Sequence, residues 1–545
     1  MHLRSAIVLA AGAALVVTLT ASLRADVRTM NGSGNNIVSP TMGMAGTDLR
    51  RSLSGACYVD GIGTPMPGPN PRSTSNALSA QTLQGLGNAR GLSSMAWQWG
   101  QFIDHDFALV LESAEDFNIN IPAGDPVFDP MNTGTASMPF TRSIFTGGVT
   151  TPRQQQNALT HWLDGSMVYG SDDARAAALR EGAGGRLATS AGNFLPFNTA
   201  GLPNAGGTSS SFYLAGDIRV NEQSGLLAMH TLFVREHNRL ADQISTANPG
   251  LSDTQVYDRA RRLVGAEIQA ITYNEWLPAM LGNHGPAAYT GYNPSVDGAI
   301  DTAFSTAAFR IGHTMLNDQL LRVNPDGSTY AGGNLNLFQA FFNPSIIAEP
   351  GSFDALLRGL AAQQANEIDT QAIDGVRNLL FGGTNGRDLI ALNIQRGRDH
   401  GLPDYNSLRA DFGLARVSTF DEITSDASLA SALALVFGNV DSIDPWIGLF
   451  AEDHLAGASL GPTAAAIFSD QFSRLRDADR FFYLNDAELT QGDLDFLAGL
   501  RLADIIRFNT GALEVQDNVF FIPAPGTAGV IALAAAVGLR RRRRA

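Results

Sequence analysis

The residues best suited to chemistry lie in one short run, Trp97-Gln98-Trp99-Gly100-Gln101-Phe102-Ile103-Asp104-His105-Asp106-Phe107. Trp99, Phe102, Ile103 and Phe107 recur at helical spacings and predict a buried helix. Gln101 and His105 stand four apart and Asp104 three from Gln101, so an amide, a carboxylate and an imidazole share one stripe. In apolar company each costs free energy unless it has a partner. The imidazole suits acid–base work, since a reference pKa of about 6.5 lets it take up and return a proton near neutrality. Asp106 is rotated by roughly 100° from His105 about the helix axis and must answer to something else. A partnered core histidine flanked by capping acids fits the same run, and the run alone does not choose between the two.

Four later stretches carry further candidates. In Leu159-Thr160-His161-Trp162-Leu163-Asp164-Gly165-Ser166-Met167-Val168-Tyr169-Gly170-Ser171, the side chains of Thr160, Asp164 and Ser166 are oxygen donors at even offsets, with the Trp162 carbonyl between them. In an extended loop such oxygens point one way and can converge on a hard cation, with Asp106 completing the shell. A Ser/Thr/Asp turn capped by its own backbone is the competing account. In Gly216-Asp217-Ile218-Arg219-Val220-Asn221-Glu222-Gln223, Arg219 and Glu222 are three apart and face one side, ahead of an amphipathic helix through Leu226, Met229, Phe233 and Leu240. As a bare surface pair they would contribute little. The remaining two are Ala308-Phe309-Arg310-Ile311-Gly312-His313-Thr314 and Ala391-Leu392-Asn393-Ile394-Gln395-Arg396-Gly397-Arg398-Asp399-His400-Gly401-Leu402-Pro403.

Taken together and in this order, the five motifs resemble those of the animal-type haem peroxidases, the superfamily of myeloperoxidase, lactoperoxidase and peroxidasin. The resemblance runs from about Asn70 to Gly511, and Asn70-Pro71-Arg72-Ser73-Thr74-Ser75-Asn76 is similar to the family segment ahead of the first helix. It implies a mainly α fold in a single large domain, haem b and calcium as cofactors, and reaction with hydrogen peroxide and a small electron donor: bromide, iodide, thiocyanate or a phenol. It also implies roles. His105 is the distal acid–base residue, Gln101 holds a water or halide over the iron, and Arg219 is the distal arginine. Asp104 and Glu222 are carboxylates able to form haem esters. His313 is the proximal iron ligand, with the side-chain oxygen of Asn393 accepting from its other ring N–H. Arg310 and Arg396 meet the two propionates. Asp106, Thr160, Trp162, Asp164 and Ser166 form the calcium set. Arg398, Asp399 and His400 read as scaffold pairing.

Departures from the family pattern narrow these expectations. Myeloperoxidase carries a methionine directly after the glutamate and forms a sulfonium link there; here the position is Gln223, so that link is excluded and chloride oxidation is disfavoured. Fatty-acid dioxygenases of the same superfamily use a tyrosine three residues before the proximal histidine, and Arg310 stands there. A matrix protein that kept the fold and lost the chemistry would not be expected to keep a competent residue at each haem-contact position. Gly457-Ala458-Ser459-Leu460-Gly461 fits a hydrolase nucleophile elbow, but His454 is the last histidine and the triad order cannot be completed. Gly85, Gly87 and Gly91 miss the dinucleotide spacing by one.

The elements that must position these groups come from a chain of 545 residues with 44% hydrophobic and 16% charged residues, enough to bury a large core. No linker divides the motifs, so one domain over 26–520 is expected despite a length prior of three or four. A net charge of −15 argues against nucleic acid and anionic membrane surfaces as partners. All 37 cationic residues are arginine, which genome composition explains, and Cys57 stands alone, so no intramolecular disulfide forms. Animal members of the family are disulfide-rich, so the resemblance points to a bacterial branch. Residues 1–25, with Arg4, an apolar run from Ala6 to Leu19 and small residues after it, predict a secretory signal peptide and an exported protein. From Asp26 to about Pro71 the Gly-, Pro-, Ser- and Asn-rich sequence predicts a surface arm. A helix is expected over Asp493–Phe508, with Thr490 as its cap. In the tail, 521–545, the apolar stretch Thr527 to Leu539 is shorter than the ~20 residues of a comfortable span. The arginines Arg540 to Arg544 would stay cytoplasmic. The pattern is similar to bacterial PEP-CTERM sorting tails, processed during export and so in transient membrane contact; Ala524 replaces the usual Glu, and a short membrane anchor is the competing expectation.

Overall fold

The computed structural model describes residues 26–81, 87–380 and 386–523; the segment expected as signal peptide, 1–25, and nearly all of the one expected as sorting tail or anchor, 521–545, lie outside them. Helices dominate, and strands are confined to four separate two-stranded antiparallel pairs among the described residues. One apolar core runs through the chain from Leu49 to Phe520.

At its centre lies α2 (Ser94–Phe107), with α1 (Pro71–Leu78) just before it in sequence. Ser93 starts α2 by accepting from the Met95 N–H, and Met95, Ala96, Trp99, Phe102, Ile103 and Phe107 are fully buried. This helix packs against the short α3 (Ser166–Tyr169), the long α4 (Ser224–Ala247), α6 (Gly312–Met315) and α7 (Ser352–Ala362). Phe233 of α4 stacks on Phe102 at 5.0 Å and tilts against Trp99 at 5.8 Å. Next in sequence and packed on α4 comes α5 (Asp253–Ile271), opened by a Ser252–Gln255 capping box and continued by one π turn over Thr272–Trp276. Behind the site, Trp276, Phe304, Phe309, Phe468 and Phe472 form a cluster of tilted and edge-on rings.

The element carrying Asn393 is α8 (Leu389–Asp399), whose N-cap Asp388 accepts from Ile390 N and Ala391 N. Arg72, 1% exposed, joins α1 to that cap through Asp388 Oδ2 at 2.7 Å and also binds Asp125 Oδ2 at 2.7 Å. Two expectations need correcting. The segment from Arg219 to Glu222 is a turn, not helix, and Gln223 is the N-cap of α4, its Oε1 accepting from Gly225 N. The helix expected over Asp493–Phe508 is two, Gln491–Gly499 and α9 (Leu502–Asn509), with extended backbone at Leu500 and Arg501. The break is stabilised by Arg501, which caps α9 with Asp504, and by Glu275, whose Oε2 accepts from Leu502 N at 2.9 Å. Thr490 caps the first helix as expected.

Candidate active site

A cavity of about 1170 Å³, its open mouth included, lies between α2, the turn before α4, α6 and the start of α8. It is lined by Gln101, Asp104, His105, Arg219, Glu222, Arg310 and His313, so residues from three distant motifs meet on one wall system. Trp97, Phe309, Leu316, Leu337, Val376 and Leu389 supply apolar surface. A second cavity of about 920 Å³ shares Asp104, Arg219, Ser305, Arg310 and Leu389 with the first and is bordered further out by Arg396.

On the α2 side, His105 is 3% exposed. Its Nε2 lies 3.8 Å from Glu222 Oε2 and its Nδ1 3.4 Å from Asp217 Oδ1, so the two ring nitrogens face different carboxylates. Burial, and then the nearby Arg219 cation, push its pKa well below the ordinary value, so the ring is neutral at pH 7. Arg219 donates to Asp217 through Nε and Nη2, both at 2.9 Å, and reaches Asp104 Oδ2 at 3.4 Å. Burial drives Asp104 up to about 6 against the pull of Arg219, and Glu222 up to about 7. Gln101 accepts from Gln223 Nε2 at 3.0 Å and donates weakly to Glu222 Oε2 at 3.5 Å. Gln223, where myeloperoxidase has methionine, is therefore tied to Gln98, Gln101 and its own helix cap.

Opposite in sequence, His313 sits on α6, behind a 3-10 turn in which Arg310 leaves helical geometry (φ −86, ψ 22). Burial lowers its pKa to about 3, with Arg310 adding to the shift. Asn393 contacts the Nδ1 of His313 at 2.8 Å, the expected pairing of residues, but through the amide nitrogen. The amide oxygen instead accepts from Arg310 Nη1 at 2.9 Å, because a guanidinium can only donate. The Nε2 of His313 has no hydrogen-bond partner among the described residues. Arg396 is placed differently from Arg310: it borders only the outer cavity, and its Nη1 donates to Thr141 O, Ser143 Oγ and Asp399 Oδ2. His400, between Ser143 Oγ and Thr306 Oγ1, Asp399 on Arg142, and Arg398 on Asp444 are scaffold contacts.

The oxygen-rich loop folds against the C-terminal end of α2. Asp106 is fully buried; its Oδ2 accepts from Gly165 N at 3.0 Å and its backbone O from Ser166 Oγ at 2.5 Å. Asp164 accepts from Ser166 N at 3.0 Å and from Thr160 Oγ1 at 3.2 Å. So Asp106, Thr160, Asp164 and Ser166 are gathered, but by a chain of bends with Gly165 at φ 81, not by the extended loop that alternation suggested. The Trp162 ring is packed on Gly32 and Gly43, and His161 bridges Thr47 Oγ1 and Ile300 N as scaffold. Burial pushes the Asp106 carboxyl well up, and the neighbouring Asp164 charge adds to it. Among the described residues no three His, Cys, Asp or Glu side chains gather as a metal set; this cluster offers two carboxylates with hydroxyl and carbonyl oxygens.

Asp217 is the residue that sequence reasoning passed over. It lies in the motif quoted for Arg219, but only the turn, invisible to helical spacing, brings it to His105.

A family model described as animal haem peroxidase matches residues 27–520. The peroxidasin homologue of Mus musculus is 36% identical over 553 residues, covering 90% of this chain and 37% of its own length. The chain thus spans little more than a third of that relative. Peroxinectin A of Dictyostelium discoideum is 34% identical over 91% of this chain and 96% of its own length, and lactoperoxidase of Mesocricetus auratus 35% identical over 92% and 78%. Among solved structures, peroxidase A from Dictyostelium discoideum superposes with a TM-score of 0.85 at 33% identity, over 91% of this chain and 100% of that one. Fatty acid alpha-dioxygenase from Oryza sativa superposes with a TM-score of 0.77 over 91% of this chain and 87% of that one, at 22% identity, which shows a likeness of fold alone. A match over nearly the whole described chain, with His105 and His313 on one cavity, places it: the chain belongs to the animal haem peroxidase family.

Proposed function

We propose that the chain is a secreted haem peroxidase that reduces hydrogen peroxide and oxidises small donors, namely bromide, iodide, thiocyanate or phenols. The observation that carries this reading is one cavity bordered by two imidazoles in opposite settings, His313 against an amide and His105 against carboxylates and an arginine. The residues fit haem b: an open Nε2 on His313, apolar walls for a flat macrocycle, and arginines at one end. When bound, the haem supplies the redox centre at which peroxide is reduced and from which donors are oxidised.

The chain's own groups then have defined tasks. Ligation through Nε2 requires the His313 proton on Nδ1, which calls for the Asn393 oxygen there. That follows if Arg310 turns from Asn393 to a propionate, releasing the oxygen and letting the amide rotate; Arg396 serves the second propionate from the outer cavity. His105, neutral at pH 7, takes a proton from peroxide at Nε2 and returns it to the departing oxygen, a role typically contributing ~10²–10⁴-fold. Arg219 stabilises the negative charge that develops as the O–O bond breaks. Gln101 positions water or a halide beside it. Asp104 and Glu222, both on the cavity wall, are the carboxyls available for ester links. Calcium at Asp106, Asp164, Thr160, Ser166 and the Trp162 carbonyl would relieve two facing carboxylates and tie the loop to α2. Export rests on the amino-terminal signal pattern.

The test is colour. Purified protein supplied with haem should show a Soret band that shifts on adding peroxide, and His105→Ala should slow that shift at least ~100-fold while keeping haem. Haem retained by the wild type in acid–acetone but released from Asp104→Asn, Glu222→Gln establishes the esters. A colourless protein refutes the reading.

A further inference from the structure

We propose that Asp217 is the positioning residue of the distal site: its buried carboxylate holds His105 with the proton on Nδ1, leaving the Nε2 lone pair toward the cavity, and clamps Arg219 beside it. This rests on the reading of His105 as the acid–base group.

His105 Nδ1 is buried and has no hydrogen-bond partner among the described residues, and the nearest carboxylate is that of Asp217. Asp217 is 0% exposed, and its Oδ1 lies 3.4 Å from His105 Nδ1. The same carboxylate accepts from Arg219 N at 2.8 Å, from Nε at 2.9 Å and, through Oδ2, from Nη2 at 2.9 Å. An ionised carboxylate can only accept, so the neighbouring ring nitrogen is favoured as N–H and the remote one as base. The His105 contact is longer than a hydrogen bond, as pairs that tighten in the loaded site commonly are. Burial alone would raise the Asp217 pKa, but the Arg219 charge and hydrogen bonds hold it far below the usual range, so the group is ionised.

The turn that carries Asp217 is itself fixed. Asp217 N donates to Met167 O at 3.1 Å, and Arg175 Nη1 donates to Ala215 O at 2.8 Å. A Cβ at Gly216 would sit 2.1 Å from Ser166 O, so the turn lies against α3 with room for glycine only. The carboxylate is thereby anchored to the segment packed beneath α2, and the arginine and imidazole both take their orientation from it. Asp217 exchanges no proton: the peroxide proton goes to Nε2, is returned to the departing oxygen, and the carboxylate stabilises the imidazolium between the two events.

The experiment uses the holoprotein and Asp217→Asn, nearly isosteric, whose amide N–H₂ can hold the opposite tautomer. Stopped-flow mixing with peroxide should show the Soret shift slowed at least ~100-fold, with haem content and the rate of donor oxidation after that shift unchanged. In a His105→Ala background the same substitution should cost several-fold less, because the two residues act as a unit. An equal loss in both backgrounds, or none in the wild type, overturns the proposal. Should Asp217→Asn not fold, ¹⁵N spectra of histidine-labelled wild type in the diamagnetic ferrous carbon monoxide form, assigned with His105→Gln, decide it: a proton on Nδ1 supports it and one on Nε2 refutes it. A wild type with no peroxide-induced shift would instead refute the peroxidase reading.

Discussion

Replacing Arg72 by methionine tests whether a buried cation outside the cavity lining holds the proximal side together. Its guanidinium meets Asp125 Oδ2 and Asp388 Oδ2, each at 2.7 Å, with all three side chains no more than 1% exposed. It also donates to Arg377 O at 3.1 Å and Asn378 Oδ1 at 2.8 Å. Methionine keeps volume but leaves two carboxylates without their cation. Breaking a buried pair on one side costs about 3–5 kcal/mol, where an exposed pair is worth about 0–1. Against a total stability of about 5–15 kcal/mol that is a large fraction. Because Asp388 caps α8, part of the loss should reach Asn393, five residues on. The assay is urea unfolding at pH 7 followed by far-ultraviolet circular dichroism and, separately, by the Soret band, with Asp388→Asn added as a partner variant. The midpoint should fall sharply for Arg72→Met, and Asp388→Asn should recover part of it. The Asp125 carboxyl would be raised by burial alone, but the Arg72 hydrogen bond and its neighbours hold it below the usual range. Its contribution is therefore present above the unfolded carboxyl pKa, about 4, and is lost as pH falls through the lower folded value, so the two proteins should converge in acid. A loss below about 1 kcal/mol at pH 7 would refute the reasoning.

Glu275 is pushed by burial up to about 7, so the native state binds its proton more tightly than the unfolded chain does; stability should fall between about pH 4 and 7, and Glu275→Gln should remove roughly 3 kcal/mol of that fall in pH-dependent unfolding. Gly359→Ala would set a methyl 1.7 Å from the Leu321 carbonyl oxygen, backbone that cannot yield cheaply, and should cost more than the ~1–3 kcal/mol of ordinary overpacking, read as lost soluble holoprotein. Chelation should lower stability by the binding term, about 2.7 kcal/mol from a calcium concentration 100 times the dissociation constant, read as a fall in melting temperature, and Asp106→Asn should abolish that response. A melting curve indifferent to both calcium and chelator would remove calcium from the account.

Much of this protein was legible in one dimension because helical spacing is a local property. The apolar positions of α2, its polar stripe and the long helix after Gln223 follow from residues a few places apart, and Thr490 is read as a cap for the same reason. Ordered motifs add the pairing of His313 with Asn393, since a lineage preserves which residues meet. What folding alone decided are contacts through turns and breaks, where periodicity is silent. Spacing made Arg219 and Glu222 helical neighbours, whereas a turn places them and swings Asp217 under His105. Alternation made the oxygen-rich loop extended, whereas bends around Gly165 gather its donors. Even the Asn393 amide is oriented by Arg310, a competing donor whose position depends on the 3-10 turn before His313. A sequence determines which faces are apolar because that is written every few residues; which polar atoms then face one another depends on the packing of faces from distant segments, and only the folded chain specifies it.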